Sequence, residues 1–172
     1  MTGPDPMPEH RAAGDAFAAL LAIMDRLRNP DGGCPWDLEQ DFTSIAPYTI
    51  EEAYEVAEAI KRGDRGELKS ELGDLLFQVA FHSQMASEEE SFTAQDVAEA
   101  IAAKMVHRHP HVFGAKDGRD ADAQTAAWEE MKAAERAAAA RTDGPVSALD
   151  GVALALPALM RAEKLQKRAA RV

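Results

Sequence analysis

Two pairs of acidic residues carry the clearest chemical signal in the sequence. Glu52 and Glu55 lie in the segment EEAYE, and Glu71 and Asp74 lie in the segment ELGD. The members of each pair are three residues apart, so each pair shares one face of a helix, beside a stripe of apolar residues. If the two stripes pack together, four carboxylates converge along one seam. Because converging carboxylates repel one another, the pattern predicts a hard divalent cation between them, and Mg²⁺ takes such oxygen ligands.

Two simpler interpretations of these acids stay open from the residues alone. An EExxE pattern is common on the solvated faces of charged helices. Glu52 could also complete a capping box with Thr49 at the start of a helix. The second acidic pair, which also adjoins an apolar stripe, favours the metal site over both alternatives.

A weaker candidate is the alternating histidine segment formed by His107, His109 and His111. A zinc site is conceivable there, because imidazole is a common zinc ligand. Pro110 breaks the preceding helix, however, and favours a polar turn instead. His82 lies within a predicted helix, where we expect a histidine whose hydrogen bonds are satisfied.

Trp36 lies in the segment CPWD, within a loop rich in proline and glycine. Its ring could stack on a nucleotide base, or it could anchor the loop on the core. Burial against the core is the more usual environment of tryptophan. No GxxxxGK[ST] pattern occurs in the sequence, which argues against a P-loop ATPase.

The elements that must position these residues are predicted to be helices. Apolar residues recur at helical spacing, and Pro or Gly interrupts them at the proposed ends. The pattern predicts six helices, near 15–28, 47–61, 64–89, 94–109, 123–141 and 147–171, the last interrupted by Pro157. Gly63 should end the second helix, and Asp64 should cap the third.

Composition agrees with a helical protein and excludes several classes. The chain has 172 residues, of which 46% are hydrophobic, with alanine far more common than the β-branched strand formers. No apolar run is long enough to span a bilayer, so no membrane partner is expected. A net charge of −11 argues against binding to nucleic acid. The single cysteine, Cys34, allows no internal disulfide and favours a reducing, cytoplasmic setting.

Several longer segments resemble the MazG family of nucleoside triphosphate pyrophosphohydrolases. They are LLAIMDRLRNPDGGCPWD, IAPYTIEEAYEV, ELGDLLFQVAFHSQM and RHPHVFG, in the order typical of that family, with weaker likeness in LPALMRAEKLQKRA. The resemblance implies an all-α fold with a four-helix core, additional C-terminal helices and a dimeric assembly. It also implies Mg²⁺-dependent hydrolysis of nucleoside triphosphates to monophosphate and pyrophosphate, with clearance of nucleotides from the cellular pool as the role. Mn²⁺ is expected to substitute, since it shares oxygen ligands.

The same resemblance assigns roles to individual residues. It places Glu52, Glu55, Glu71 and Asp74 in the metal-ligand positions. It places Glu51 where a glutamate orients or deprotonates water, and it gives Lys104 and Arg108 to the triphosphate. Trp36 is a further candidate for substrate binding.

The resemblance also suggests how the chain is organised. We expect a disordered tail at residues 1–14, a MazG-type catalytic or nucleotide-binding domain at 15–114, and a linker with C-terminal helices at 115–172. The central segment looks like the amino-terminal domain of a longer, two-domain form, and the end of the chain like the lead into a second domain. The alternative function is a non-catalytic MazG domain that binds nucleotide, dimerises or regulates.

Overall fold

The computed structural model describes residues 7–114, 118, 120–139, 147 and 149–170. Within these residues the chain forms eight helices and no strand, which confirms the predicted all-α fold. The helices are α1 (Pro8–Leu27), α2 (Pro35–Glu39), α3 (Phe42–Arg62), α4 (Arg65–Glu88), α5 (Ala94–Arg108), α6 (Pro110–Phe113), α7 (Ala121–Ala139) and α8 (Ala158–Ala169).

The chain divides into two compact units, Met1–Phe113 and Gly114–Val172. In the first unit α4 is central, because α1, α3 and α5 all pack against it. These four long helices form the predicted four-helix core. The second unit contains α7 and α8, and there Arg168 Nη1 donates a hydrogen bond to the carbonyl of Asp150. No helix in the described ranges has the length and apolar character needed to cross a membrane.

A tight turn joins α3 to α4 and makes them antiparallel neighbours. Gly63 ends α3 in the left-handed conformation, with φ of +74°, which glycine adopts without strain. Asp64 then caps α4, accepting hydrogen bonds from the backbone N–H groups of Gly66 at 2.8 Å and Glu67 at 3.0 Å. The structure therefore confirms the predicted helix end at Gly63 and the predicted cap at Asp64.

The start of α3 differs from the prediction. The sequence predicted a start at Pro47, because proline is favoured in the first turn of a helix. The helix begins at Phe42 instead, and Pro47 lies inside it. A capping box explains the earlier start, since Asp41 Oδ1 accepts from the backbone N–H of Ser44 at 2.7 Å and Ser44 Oγ accepts from that of Asp41 at 2.9 Å.

Three further boundaries lie outside the predicted ranges. The helix predicted at 147–171 is α8 at Ala158–Ala169, which begins only after Pro157, and residues 149–157 are not helical. Helix α1 begins at Pro8 rather than at Asp15, with Pro8 in the first turn, so part of the expected tail is helical. The loop predicted at 29–37 contains the start of the short helix α2, which begins at Pro35 for the same reason.

The core lies where α1, the first turns of α3 and the last turns of α4 meet. Met24, Ile45, Phe81 and Met85 are almost completely buried there, and three partly buried residues pack around them: Leu27, Phe42 and Phe77. The other half of the α3–α4 pair, nearer the turn, has little apolar burial among the described residues. The acidic pairs therefore lie beside the core rather than within it.

One arginine holds the core end of the unit together. Arg28, at the end of α1, donates from Nε and Nη2 to the carboxylate of Glu88, with the shortest distance 2.7 Å. Its Nη1 donates to the carbonyls of Asp37 and of Gln40 (3.1 Å for the latter), and its guanidinium lies 5.5 Å from the ring centre of Phe81. The hydrogen bonds from Arg28 hold the pKa of the Glu88 carboxyl below its ordinary value.

Candidate metal centre

Three of the four predicted metal ligands form a close cluster where α3 packs against α4. We call this line of contact the α3–α4 seam. Glu52, Glu55 and Glu71 each offer a carboxylate oxygen, and these oxygens all lie within 4.8 Å of one another. Glu52 and Glu71 are half-buried, and Glu55 is exposed. Among the described residues this is the single group of three or more potential ligands that come so close.

Asp74, the fourth predicted ligand, lies close enough to act on two members of the cluster. The pKa of Glu52 is raised, first by burial and then by the negative charges of Asp74, Glu55 and Glu71. The pKa of Glu71 is raised, first by burial and then by Glu55 and Asp74, with a further contribution from Glu67. The structure thus brings the two acidic pairs together, as the helical spacing predicted.

The alternative interpretation of Glu52 as part of a capping box is wrong. Helix α3 begins at Phe42, so Thr49 and Glu52 both lie in its interior. The Thr49 hydroxyl instead bonds across the seam, with Oγ1 at 3.0 Å from His82 Nε2 and at 3.4 Å from Gln78 Oε1. The sequence analysis did not predict that Gln78 is buried and Thr49 half-buried in the seam, although their spacing from Asp74 and Glu52 places them on the same helix faces.

His82 is the satisfied helix histidine that the sequence predicted. Besides its bond to Thr49, its ring stacks on Phe42, with ring centres 5.9 Å apart and planes 2° from parallel. Burial lowers the pKa of this imidazole, so the neutral form is favoured.

Trp36 combines features of both interpretations of this residue. Its ring makes edge contacts with Tyr48 and Phe81, at centre distances of 6.1 Å and 6.5 Å, so it is anchored on the α3–α4 pair. Nevertheless 49% of the residue is exposed, which leaves ring surface open to a ligand. The expectation of burial was therefore only partly right.

The remaining candidate residues lie outside the carboxylate cluster. Glu51 is exposed and neighbours Glu52 on α3. Lys104 and Arg108 lie one turn apart on α5, which packs on α4; Lys104 is exposed and Arg108 is half-buried.

The predicted polar turn at the histidine segment is reduced to one residue, because His107 lies in the last turn of α5, His109 follows that helix, and His111 lies within the short helix α6. His109 Nδ1 lies 2.7 Å from the carbonyl oxygen of Met105, and the rings of His109 and His111 are 5.8 Å apart. Within the described ranges these histidines are not part of any cluster of three potential metal ligands.

The chemistry of the cluster suits a hard cation. All its ligand atoms are carboxylate oxygens, which Mg²⁺, Mn²⁺ and Ca²⁺ prefer, and it lacks the thiolate or imidazole ligands typical of zinc. Burial first, and then the neighbouring negative charges, raise the pKa of Glu52 and Glu71, and a cation between the carboxylates would offset the repulsion among those charges.

Residues 40–113 match the family model described as the MazG nucleotide pyrophosphohydrolase domain. The Escherichia coli K12 protein named nucleoside triphosphate pyrophosphohydrolase is 54% identical over 153 residues, which are 89% of this chain and 57% of that protein. The Thermotoga maritima protein named nucleoside triphosphate pyrophosphohydrolase/pyrophosphatase MazG is 40% identical over 94% of this chain and 60% of its own length. The chain therefore spans somewhat over half the length of these curated relatives.

A solved structure shows the same fold. The crystal structure of a mazG-related protein from Thermotoga maritima superposes with a TM-score of 0.55, at 26% sequence identity. The match covers 67% of this chain and 98% of that one.

The repulsion within the cluster predicts how stability depends on pH. Because the folded pKa of Glu71 lies above its ordinary value of 4.5, the folded protein binds this proton more tightly than the unfolded chain does. The contribution of Glu71 to the stability of the metal-free protein should therefore become more favourable as pH falls from above the raised pKa toward 4.5. Glu71→Gln should be more stable than the wild type at pH 8, and the difference should shrink as pH falls. Thermal melts in chelator measure this.

Glu99→Gln is the matched control, because Glu99 is an exposed glutamate on α5 that contacts Gln95. Its difference from the wild type should not follow this pH course. A Glu71→Gln variant that is less stable than the wild type at every pH would contradict the repulsion.

Proposed function

Because residues 40–113 make this chain a member of the MazG family, we propose that it hydrolyses nucleoside triphosphates to nucleoside monophosphate and pyrophosphate. The observation that carries the proposal is the carboxylate cluster of Glu52, Glu55 and Glu71, with Asp74 acting on it electrostatically. The names of the relatives point to the same reaction. Clearance of nucleotides in a reducing, cytoplasmic compartment is the role we propose, and the single cysteine supports that setting.

We assign the metal-ligand role to Glu52, Glu55, Glu71 and Asp74, with Mg²⁺ as the resident ion and Mn²⁺ as a substitute. Their all-oxygen set of ligand atoms fits such an ion. A bound Mg²⁺ supplies neutralisation of phosphate charge and a lowered pKa for water.

Glu51 is our candidate for the group that handles the attacking water. It is exposed and lies four residues before Glu55 on α3, so the two carboxylates share one face of that helix. In the proposed reaction the Glu51 carboxylate orients the water and accepts its proton, as a general base does. The water oxygen bonds to the α-phosphorus, the bond from that phosphorus to the bridging oxygen breaks, and pyrophosphate leaves.

Lys104 and Arg108 are the proposed cationic partners of the departing phosphates. A triphosphate carries more negative charge than one Mg²⁺ cancels, so cationic groups are needed beside the carboxylates. The two residues lie four apart on α5 and so share a helix face. Trp36, of which 49% is exposed and whose ring contacts that of Phe81, is the candidate to stack on the base.

Hydrolysis should depend on the metal and on the carboxylates. Wild-type protein with Mg²⁺ should release pyrophosphate from a mixture of nucleoside triphosphates, and chelator should stop the release. Mn²⁺ should restore it, whereas Ca²⁺, which is larger and tolerates irregular coordination, should bind but support little turnover. Glu52→Ala or Asp74→Ala should abolish hydrolysis while the helical circular dichroism signal is retained.

Glu99→Ala, a substitution of an exposed glutamate outside the cluster, should keep wild-type activity. Full activity in Glu52→Ala or Asp74→Ala would overturn the assignment of the metal ligands. If the wild type binds Mg²⁺ and nucleotide but releases no pyrophosphate, the chain has instead the alternative function of a non-catalytic MazG domain.

Removal of the Arg108 guanidinium should slow the reaction. Arg108→Ala should lose about 2–4 kcal/mol of transition-state stabilisation, comparable to the loss of one preorganised donor. Arg108→Lys should recover only part, because the planar two-pronged group is lost. Measurement of kcat/KM per folded molecule is essential, because Arg108 is half-buried and has contacts of its own, so its removal also affects stability.

The control for this substitution is Arg26→Ala. Arg26 is exposed and donates to the carbonyl of Asp31, away from α5. It should leave kcat/KM unchanged. If Arg108→Ala lowers only the melting temperature, with kcat/KM per folded molecule unchanged, Arg108 is structural and the phosphate clamp lies elsewhere.

We also propose that the chain forms a homodimer. The support is a set of large apolar side chains that are exposed on α3 and α4: Ile50, Tyr54, Ile60, Leu72, Leu76 and Val79. Apolar surface of this kind is commonly buried between subunits.

Light scattering at micromolar concentration should give about twice the chain mass of 18.6 kDa. Leu76→Lys should shift the mass toward that of one chain while helical content is retained. Ile23→Lys, a matched change on the exposed face of α1, should not. A wild-type mass of one chain would contradict the dimer.

A further inference from the structure

Gln78 is a buried amide whose hydrogen-bonding groups are poorly satisfied within the protein. Only 6% of the residue is exposed. Its Oε1 accepts from the Thr49 hydroxyl at 3.4 Å, which is long for a hydroxyl donor. Its amide nitrogen donates to no described residue, yet it is not sealed from solvent. A buried donor without an acceptor destabilises a protein, so such a group calls for an explanation.

The hydrogen-bond chain through Thr49 decides what Gln78 can offer. Thr49 Oγ1 lies 3.0 Å from His82 Nε2 as well as 3.4 Å from Gln78 Oε1, and its one hydroxyl hydrogen can be donated to only one of these two atoms. Whichever of the two accepts that hydrogen, the amide nitrogen of Gln78 has no acceptor among the described residues. The groups of Gln78 that remain are the two hydrogens of its amide nitrogen. A ligand of Gln78 must therefore present a hydrogen-bond acceptor.

The position of Gln78 relates it to the carboxylate cluster. Thr49 precedes Glu52 by three residues on α3, and Gln78 follows Asp74 by four residues on α4, so both lie about one helical turn away, toward the core. Glu52 and Asp74 interact across the same seam. The contact between Thr49 and Gln78 is therefore the next layer of the seam after the carboxylates.

Aromatic rings border this layer on the side of α2. Phe81 lies three residues after Gln78 on α4 and contacts the ring of Trp36, and Trp36 also contacts Tyr48, the residue before Thr49. Trp36 and Tyr48 are exposed by 49% and 42%. The surroundings of Gln78 are thus uncharged and partly aromatic, which suits a nucleoside better than a phosphate.

We infer that Gln78 binds the nucleoside part of the substrate, and that its amide nitrogen donates to an acceptor atom of the sugar or the base. This inference rests on the proposed function, which places the phosphates at the carboxylate cluster. With the phosphates there, a nucleoside that extends toward the core end of the seam reaches the layer of Thr49 and Gln78. Thr49 and His82 are positioning residues, since they fix the carboxamide with its nitrogen free.

The test compares Gln78→Met with the matched control Gln95→Met. Methionine has nearly the length of glutamine but no amide, and Gln95 is exposed on α5, where it donates to Glu99. Binding of AMP, GMP, CMP and UMP is measured with Mn²⁺ present, together with Mn²⁺ binding alone and the melting temperature without ligands.

Gln78→Met should weaken monophosphate binding about tenfold, as expected for the loss of one well-placed hydrogen bond. Its affinity for Mn²⁺ should be unchanged, and its melting temperature should be equal or higher, because an unsatisfied buried amide has been removed. Gln95→Met should change none of the three. Ribose 5-phosphate separates the two sources of the acceptor: weaker binding of it identifies the sugar, and an unchanged value with weaker nucleotide binding identifies the base.

Three results would overturn the inference. A lower melting temperature with unchanged nucleotide binding would show that Gln78 is structural. Weaker Mn²⁺ binding would show that it serves the metal site, and a wild type that binds no monophosphate would show that there is no nucleoside site. Failure of the proposed reaction can be distinguished from failure of this inference. A wild type that binds monophosphates through Gln78 but releases no pyrophosphate contradicts the reaction and supports the nucleoside site.

Discussion

The crowding of like charges on the α3–α4 seam is the constraint on which the rest of this unit depends. Carboxylate oxygens of Glu52, Glu55 and Glu71 lie within 4.8 Å of one another, and burial and mutual repulsion raise the pKa of two of them. The repulsion among these carboxylates opposes the packing of α3 against α4. The seam is held at its ends: by the turn at Gly63 and Asp64, and by the apolar core around Phe81.

Arg28 links three helices at the core end of the seam. A single side chain joins the end of α1 to the carbonyls that finish α2 and to Glu88 in the last turn of α4, with 9% of it exposed. An arginine that is paired and hydrogen-bonded on most of its donors can be buried at low cost. Its guanidinium also lies over the ring of Phe81, and Phe81 in turn contacts Trp36, so contacts connect Arg28 to the exposed tryptophan near the seam.

Sequence reasoning succeeded where the cause is local. Gly63 and Asp64 mark the α3–α4 turn through backbone conformation and capping alone, and i,i+3 spacing suffices to put each acidic pair on one face. Sequence reasoning failed where contacts between distant segments determine a helix boundary or the burial of a side chain. Pro47 is typical of a helix start, but the capping box at Asp41, six residues earlier, begins the helix. The burial of Gln78 and the exposure of Trp36 follow from which helices pack together, and no short pattern encodes that.

The seam changes character in order along its length, and this order bears on the substrate we propose. From the Gly63 turn toward the core come the carboxylates, then the neutral layer of Thr49 and Gln78, then the apolar side chains around Ile45 and Phe81. A nucleoside triphosphate changes in the same order, from anionic phosphates that need a cation to a polar sugar and a flat base. Each layer without a ligand holds groups that lack a partner among the described residues: repelling carboxylates in one layer, and the amide hydrogens of Gln78 in the next. Polar and charged groups without partners in two adjacent layers are typical of a binding site. A ligand that supplies those partners stabilises the folded protein, because it binds the folded state alone.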